Sequence, residues 1–395
     1  MRRVALLIFI STLYSYELED ILSPEYKEFY QTQFQKNLLQ RQIDSKSWIS
    51  PIMLNFERSW DYSLEQGGSR SDMFSISIDQ PIFKSGGIYY GIKFAKARYE
   101  VENKKLTQEK NSLIIKAIET LFNIRKSELN LEKLKLQLKN DEIDVKRKEE
   151  QFEVGLIDLI EVDKALAKKN QTQISILNLQ SSIEELKGNF KKISNKDPNR
   201  LKLPKLRLIS KKEFKDKNLE LDIASKNIEV AKLNSKLVAT KFLPTISIGA
   251  SYTKLSPAPI GMKDSFSRYN LRVSMPLSIN TKDELQKAKL EKIIAKINYK
   301  NSKKSIEQDY KIVRKKINLL DKEIKLAKKE ANIYKRLLKN TNKLYRAGQA
   351  TKEDVLILKN SYKIKKLEIK IYQLSKELEL LKLYSKIDFK EKDEI

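Results

Sequence analysis

Two periodicities divide this chain. In four short stretches apolar and polar residues alternate one by one, the signature of strands with different surroundings on their two faces. The first, about 48–62, sets Trp48, Ile52, Leu54, Phe56, Trp60 and Tyr62 against Asn55, Glu57, Ser59 and Asp61, with Arg58 interrupting the apolar side. The second sets Phe74, Ile76 and Ile78 against Ser75, Ser77 and Asp79. The third sets Ile246, Ile248, Ala250 and Tyr252 against Thr245, Ser247, Gly249, Ser251 and Thr253. The fourth sets Tyr269, Leu271, Val273, Met275 and Leu277 against Asn270, Arg272, Ser274 and Ser278. Elsewhere the period is helical. From Ile88 to Gln151 there is no Pro and, after Gly91, no Gly, which predicts one helix of roughly 95 Å at 1.5 Å per residue. Residues 281–346 predict its match. Leu367, Ile371, Leu374, Leu378 and Leu381 step by four and three, as do Leu131, Leu134 and Leu138. Narrow seams of this kind suit a layer or tube of helices better than a thick core.

The pattern occurs twice. SPIMLNF at 50–56 resembles LPTISIG at 243–249, SIDQPIF at 77–83 resembles RVSMPLS at 272–278, and QFEVGLIDLIEV at 151–162 resembles LYRAGQATKEDV at 344–355. Pro51 and Pro244, Pro81 and Pro276, and Gly155 and Gly348 are separated by nearly one interval, which argues for an internal duplication. Each copy reads short helix, two strands, long helix, Gly turn, long helix. The expected division is a first repeat over 16–192, a linker over 193–216, a second repeat over 217–385 and a tail over 386–395. At Gly155 and Gly348 the helices reverse, because Gly adopts the left-handed conformation that ends a helix. Asp158 and Thr351 follow as N-caps of the returning helices. A plain turn accounts for the tip residues themselves, Val154 and Leu156 with their counterparts Ala347 and Gln349; the alternative is a docking point, since exposed apolar tip residues are otherwise a liability.

The strands leave two environments open. Segments of about ten residues, apolar on one side and polar on the other, fit the wall of a transmembrane barrel. They also fit a sandwich whose apolar side is a water-soluble core. In the barrel reading Leu54, Phe56, Ile76, Ile78, Ile246, Ile248, Leu271 and Val273 face lipid, and Glu57, Asp61, Asp79 and Arg272 face the lumen. Trp48, Trp60, Tyr62, Tyr252 and Tyr269 stand near strand ends, where aromatic girdles belong. Four strands cannot close a barrel, and each unpaired edge group in hydrocarbon costs several kcal/mol. Three chains would supply twelve strands, enough for a lumen.

Composition narrows the chemistry. The 395 residues contain no Cys and no His, so disulfides, thiolate chemistry and the usual general base and metal ligand are absent. No nucleophile motif or phosphate-binding Gly loop occurs. We expect no enzyme activity, no cofactor and no metal. The formal net charge is +27, but basic residues are interleaved with Glu and Asp along every helix, the pattern of a solvated surface rather than one phosphate-binding block. Arg2 and Arg3 precede the short apolar run Val4–Leu13, which predicts a secretory signal peptide over 1–15.

These stretches together resemble the TolC-type outer-membrane efflux proteins. The resemblance rests on QPIFKSGG at 80–87, FEVGLIDLIEVDKA at 152–165, VATKFLPTISIGASY at 238–252, VSMPLSI at 273–279 and YRAGQATKEDVLILKNSY at 345–362. It implies a mainly α chain with a small β part. Three chains would form a periplasmic helical tube, and four strands from each would form a shared barrel in outer-membrane lipid. It implies a periplasmic adaptor and an inner-membrane transporter as partners, and no nucleic acid. Val154, Gly155 and Leu156 match the family's adaptor-docking tip; Ala347, Gly348 and Gln349 match it only at the Gly. Asp354 matches one carboxylate of the family's periplasmic entrance, while Ile357 stands where a second would be. Two other readings remain beside this one. A cytoplasmic lysine-rich coiled coil that binds nucleic acid leaves the alternating strands unused, and a periplasmic adaptor needs one hairpin per chain rather than two.

Overall fold

A computed structural model describes residues 20–62, 69–258, 261 and 263–388. The expected signal peptide over 1–15, the centre of the first strand loop and most of the expected tail lie outside these residues. The chain runs α1 (Pro24–Lys46), β1 (Met53–Asp61), β2 (Ser69–Phe83), α2 (Gly87–Glu153), α3 (Leu159–Lys191), α4 (Lys211–Asp216), α5 (Leu219–Thr240), β3 (Thr245–Ser256), β4 (Ser265–Ser274), α6 (Thr281–Arg346) and α7 (Lys352–Tyr384). The duplication is visible in the elements: α2 and α6 have 67 and 66 residues, and α3 and α7 have 33 each.

The strands form one antiparallel sheet in the order β1-β2-β3-β4. The first strand is shorter than the alternation suggests. Trp48 lies in the turn that closes α1, where the Ile49 N–H donates to the Lys46 carbonyl at 2.9 Å. Pro51 has no N–H to give a ladder. Gln80 satisfies the approach instead, donating to the Trp48 carbonyl at 3.2 Å and accepting from the Ser50 N–H at 3.0 Å. At the other end β4 stops at Ser274, ahead of Pro276, so Met275 and Leu277 lie beyond the ladder rather than on it. Residues 69–71 and 265–268, which the alternation leaves in loops, are paired strand.

The chain divides into two compact units. One comprises the described residues within 1–30, 107–219 and 305–395, the other those within 31–106 and 220–304. Both units draw on both copies of the duplicated sequence, because each long helix leaves one unit and continues in the other.

In the first unit the fully buried side chains include Ile114, Ile118 and Phe122 of α2, Phe190 of α3, Ile209 and Phe214 of the linker, and Leu383 of α7. The linker is strapped down by its backbone. The Tyr310 hydroxyl donates to the Ile209 carbonyl at 2.9 Å, the Tyr384 hydroxyl to the Arg207 carbonyl at 3.1 Å, and the Leu206 N–H to the Glu377 carboxylate at 3.1 Å. Burial pushes the Glu377 carboxyl above its usual range, against the pull of that N–H and of Lys376. Asp141, 1% exposed, ties α2 to α3. It accepts from the Thr172 hydroxyl at 2.7 Å and from Lys168 at 3.1 Å. A carboxyl group this deep requires partners, so one turn of slippage between the helices would strand it.

In the second unit the sheet joins the parts of α1, α2, α5 and α6 nearest to it in sequence. Lys226 of α5 pairs with Glu100 of α2 at 2.8 Å, and Asn234 of α5 donates to Glu291 of α6 at 3.1 Å. These helices attach at one end of the strands; Asp61, Ser69, Ser256 and Ser265 stand at the other.

Candidate functional site

The register sorts the strand residues into two faces. Leu54 pairs with Ile76, which pairs with Tyr252; Phe56 pairs with Phe74; Ile78 pairs with Ala250, which pairs with Tyr269. Ile248 pairs with Leu271, and Ile246 with Val273. Directly paired residues share a face, so the eight residues expected to face lipid all stand on one side of the sheet. Glu57, Asp61, Asp79 and Arg272 all stand on the other. Arg272 and Asp79 form an ion pair at 3.2 Å that crosses over β3. The strand beneath it carries Ser247 and Gly249, both buried. The Asn270 amide lies directly over Gly249, where any Cβ would collide with it. This close approach accounts for a glycine in mid-strand.

No second sheet packs on the apolar face among the described residues, and Leu271 and Val273 are 69% and 67% exposed. The sandwich reading therefore lacks its other half. Strands β1 and β4 are open edges, exposed along nearly their whole lengths. Among the described residues no helix is long and apolar enough to cross a membrane, and no group of acidic residues is arranged to hold a metal ion.

The hairpin ends belong to the first unit and share one backbone design. Gly155 and Gly348 both have φ of +73°. The Gly155 N–H donates to Phe152 and the Leu156 N–H to Gln151; the Gly348 N–H donates to Tyr345 and the Gln349 N–H to Leu344. Each is a Schellman closure, with the glycine at its left-handed position. A Cβ on Gly348 would meet nothing within 4 Å, so Gly348→Ala is opposed only by the backbone conformation. We expect it to cost about 1 kcal/mol. Gly348→Asn should recover most of that, as measured by denaturant unfolding of the purified protein.

The side chains make the two ends different. At the first, Val154 and Leu156 are 68% and 72% exposed, and Phe152, Leu159 and Ile160 extend the apolar surface. At the second, Ala347 and Gln349 take the places of Val154 and Leu156, and the exposed apolar side chains beside them are Leu344 and Tyr345. Phe152, Leu159 and Ile160 escaped the reading of the sequence, although an apolar run just past a helix-ending glycine was the available signal.

The two expected N-caps also diverge. Thr351 forms a full capping box with Asp354, whereas the Asp158 side chain makes no capping bond. Asp354 is engaged three ways. It accepts from the Thr351 N–H at 3.1 Å and from the Thr351 hydroxyl at 2.8 Å, and it pairs with Arg147 of α2 at 2.6 Å. The bonds from Thr351 and then Arg147 hold its carboxyl below the usual range. Sequence alone gave no sign of Arg147. Asp354 thus joins the first hairpin to the second through its pair with Arg147.

Helix α6 carries two apolar seams in this unit. Ile306, Val313, Ile317, Ile324, Ala327 and Ala331 are buried, while Ile312, Leu319, Leu326 and Ile333, spaced by sevens, are exposed. Helix α3 likewise exposes Ile160, Ile174 and Leu177. Repeating apolar stripes of this kind are helix-pairing surfaces.

The family profile for outer membrane efflux proteins matches residues 52–187, which span β1, β2, α2 and most of α3. No curated protein matches the chain. Solved structures are similar over nearly its full length. The outer membrane protein VceC of Vibrio cholerae has a TM-score of 0.73 at 14% identity, covering 94% of this chain and 95% of that one. The CmeC outer membrane channel of Campylobacter jejuni has a TM-score of 0.73 at 14% identity, covering 95% and 87%. The open-state MtrE outer membrane channel of Neisseria gonorrhoeae has a TM-score of 0.72 at 18% identity, covering 94% and 87%.

Proposed function

We propose, from the match of residues 52–187 to the outer membrane efflux protein family, that this chain is the outer-membrane duct of an export machine spanning both membranes. The duct is passive, does no chemistry and runs from the periplasm to the exterior; an inner-membrane transporter supplies the energy. The observation that carries this reading is a four-stranded sheet with one apolar face and two open edges. In hydrocarbon the outward N–H and C=O groups of β1 and β4 would cost tens of kcal/mol at several each. Pairing β4 of one copy with β1 of the next removes that cost, and three copies complete a twelve-strand wall. The apolar face then meets lipid, and Glu57, Asp61, Asp79 and Arg272 face water in the lumen. The exposed stripes of α3 and α6 pair between copies to build the periplasmic tube. The apolar tip at Val154–Leu156 docks the adaptor, with the second tip as a weaker companion. A cytoplasmic nucleic-acid-binding coiled coil would have no use for a two-faced sheet.

Arg147 and Asp354 hold the periplasmic entrance closed in this reading, and opening separates the hairpins. Reconstitution into a planar bilayer tests both ideas. Purified protein is expected to insert and give stepwise conductance; a water-soluble monomer that never conducts would overturn the duct. Arg147→Gln removes the ion pair and spares the capping box, and is expected to raise conductance several-fold. Unchanged conductance would reject the latch. The sign of the pH dependence follows from Asp354. Its lowered folded pKa keeps the latch charged above the usual carboxylate value near 3.8, and the contribution is lost only as pH falls through the lower folded value. Wild-type conductance should therefore stay flat from neutral pH down to about 4.5.

A further inference from the structure

The apolar face of the sheet ends in a basic cluster that the duct does not require. Arg58, Asp72, Arg70 and Lys254 all stand on that face by register, beside Phe56, Phe74 and Trp60. Asp72 is gripped by both guanidinium groups. The Arg58 Nε and Nη2 donate to its two oxygens at 2.7 and 3.0 Å, and the Arg70 Nη2 donates at 2.9 Å. One carboxylate thus orients two guanidinium groups, each with further N–H donors directed to neither oxygen. Lys254 adds a third positive charge one row nearer the apolar band. The cluster carries two net positive charges on a face that is otherwise oily.

Its height is informative. From the Ile246–Val273 row to the row of Arg58 and Asp72 the sheet advances ten residues. At about 3.3 Å per residue and a tilt near 40° this rises roughly 25 Å, the height of the apolar band of a transmembrane barrel. The cluster lies at the loop end of the strands, away from the attached helices. Trp60, paired with Arg70, stands where an interfacial aromatic belongs.

We propose that Arg58, Arg70 and Lys254 form a binding site for the phosphate headgroup of an anionic phospholipid in the outward-facing leaflet. This rests on the reading of the apolar face as lipid-facing. Paired guanidinium groups match phosphate oxygens bidentately, and the apolar rows below would take the acyl chains. Asp72 serves as a positioning residue that fixes both arginines.

The test uses purified protein reconstituted into phosphatidylcholine vesicles doped with dansyl-labelled phosphatidylglycerol or dansyl-labelled phosphatidylcholine, read by energy transfer from tryptophan. Wild type is expected to enrich the anionic probe at its boundary on the order of tenfold. The neutral variant R58Q/R70Q/D72N/K254Q should insert normally and lose the enrichment. K254Q alone, a single exposed change, should lose part of it, and Asp72→Asn, which raises the net charge but frees both guanidinium groups, should lose part of it too; full retention by Asp72→Asn would reject its positioning role. Equal enrichment in wild type and the neutral variant, or none in wild type, overturns the proposal. If inorganic phosphate abolishes the enrichment and by itself stabilises detergent-solubilised wild type, the occupant is free phosphate and the lipid assignment fails. Failure of wild type to insert at all would count against the duct instead.

Discussion

Ile76→Arg is expected to remove the protein from the outer membrane, while Ser77→Arg, one residue along, leaves it there. Ile76 sits mid-height in the apolar face, flanked in register by Leu54 and Tyr252. An arginine at the midplane of a barrel's lipid face costs about 2–4 kcal/mol per chain, and a trimer carries it three times. Ser77 pairs with Met53 and Ser251 on the opposite face, where a charge stays in water. Because side chains alternate with a period of two, neighbouring positions report opposite solvents. Outer-membrane fractionation and the heat-labile trimer band on semi-native gels provide the measurement. Ile76→Arg accumulating as well as wild type, or Ser77→Arg being the variant lost, would reverse the assignment of the two faces.

What a sequence reveals of its fold depends on the range of the signal. The two-residue alternation is local, and no helical pattern imitates it over ten residues, so the eight apolar positions fall together on one face as expected. The strand ends were harder to read. Trp48 fits the alternation, yet Pro51 withholds the donor that would extend the ladder, and a Gln80 side chain thirty residues away takes over. Asp158 and Thr351 look alike as caps. They differ because the acid three residues after Thr351 is available to close a box, whereas Glu161 is drawn to Lys164 at 2.8 Å and to Lys148 at 3.8 Å. Arg147 was hidden for another reason. One arginine among 79 basic residues carries no mark of its partner, which lies 207 positions away. The compact units were hidden too, since the duplication divides the chain by descent and packing divides it by contact.

Leu156→Asp is expected to abolish export while trimers still assemble and reach the membrane. Leu156 is 72% exposed, so its replacement removes little from the fold. Burying a leucine at an interface is worth about 1.5–3 kcal/mol, and an aspartate there adds the desolvation of an unpaired charge. With three copies of the tip per trimer the losses compound into complete failure of docking. Gly155→Pro is a poorer test. Gly155 has φ of +73° and donates its N–H to Phe152; proline satisfies neither condition, so the turn itself would be rebuilt. Gln349→Asp is the informative control. It occupies the equivalent backbone position at the second tip, where the side chain is already polar, and should reduce export far less. Adaptor crosslinking at the tip, trimer yield and export of a tracer solute separate the outcomes. Wild-type crosslinking by Leu156→Asp would show that the exposed apolar tip is only a turn. Equal loss in both variants would show that docking reads the shared glycine backbone rather than the apolar side chains.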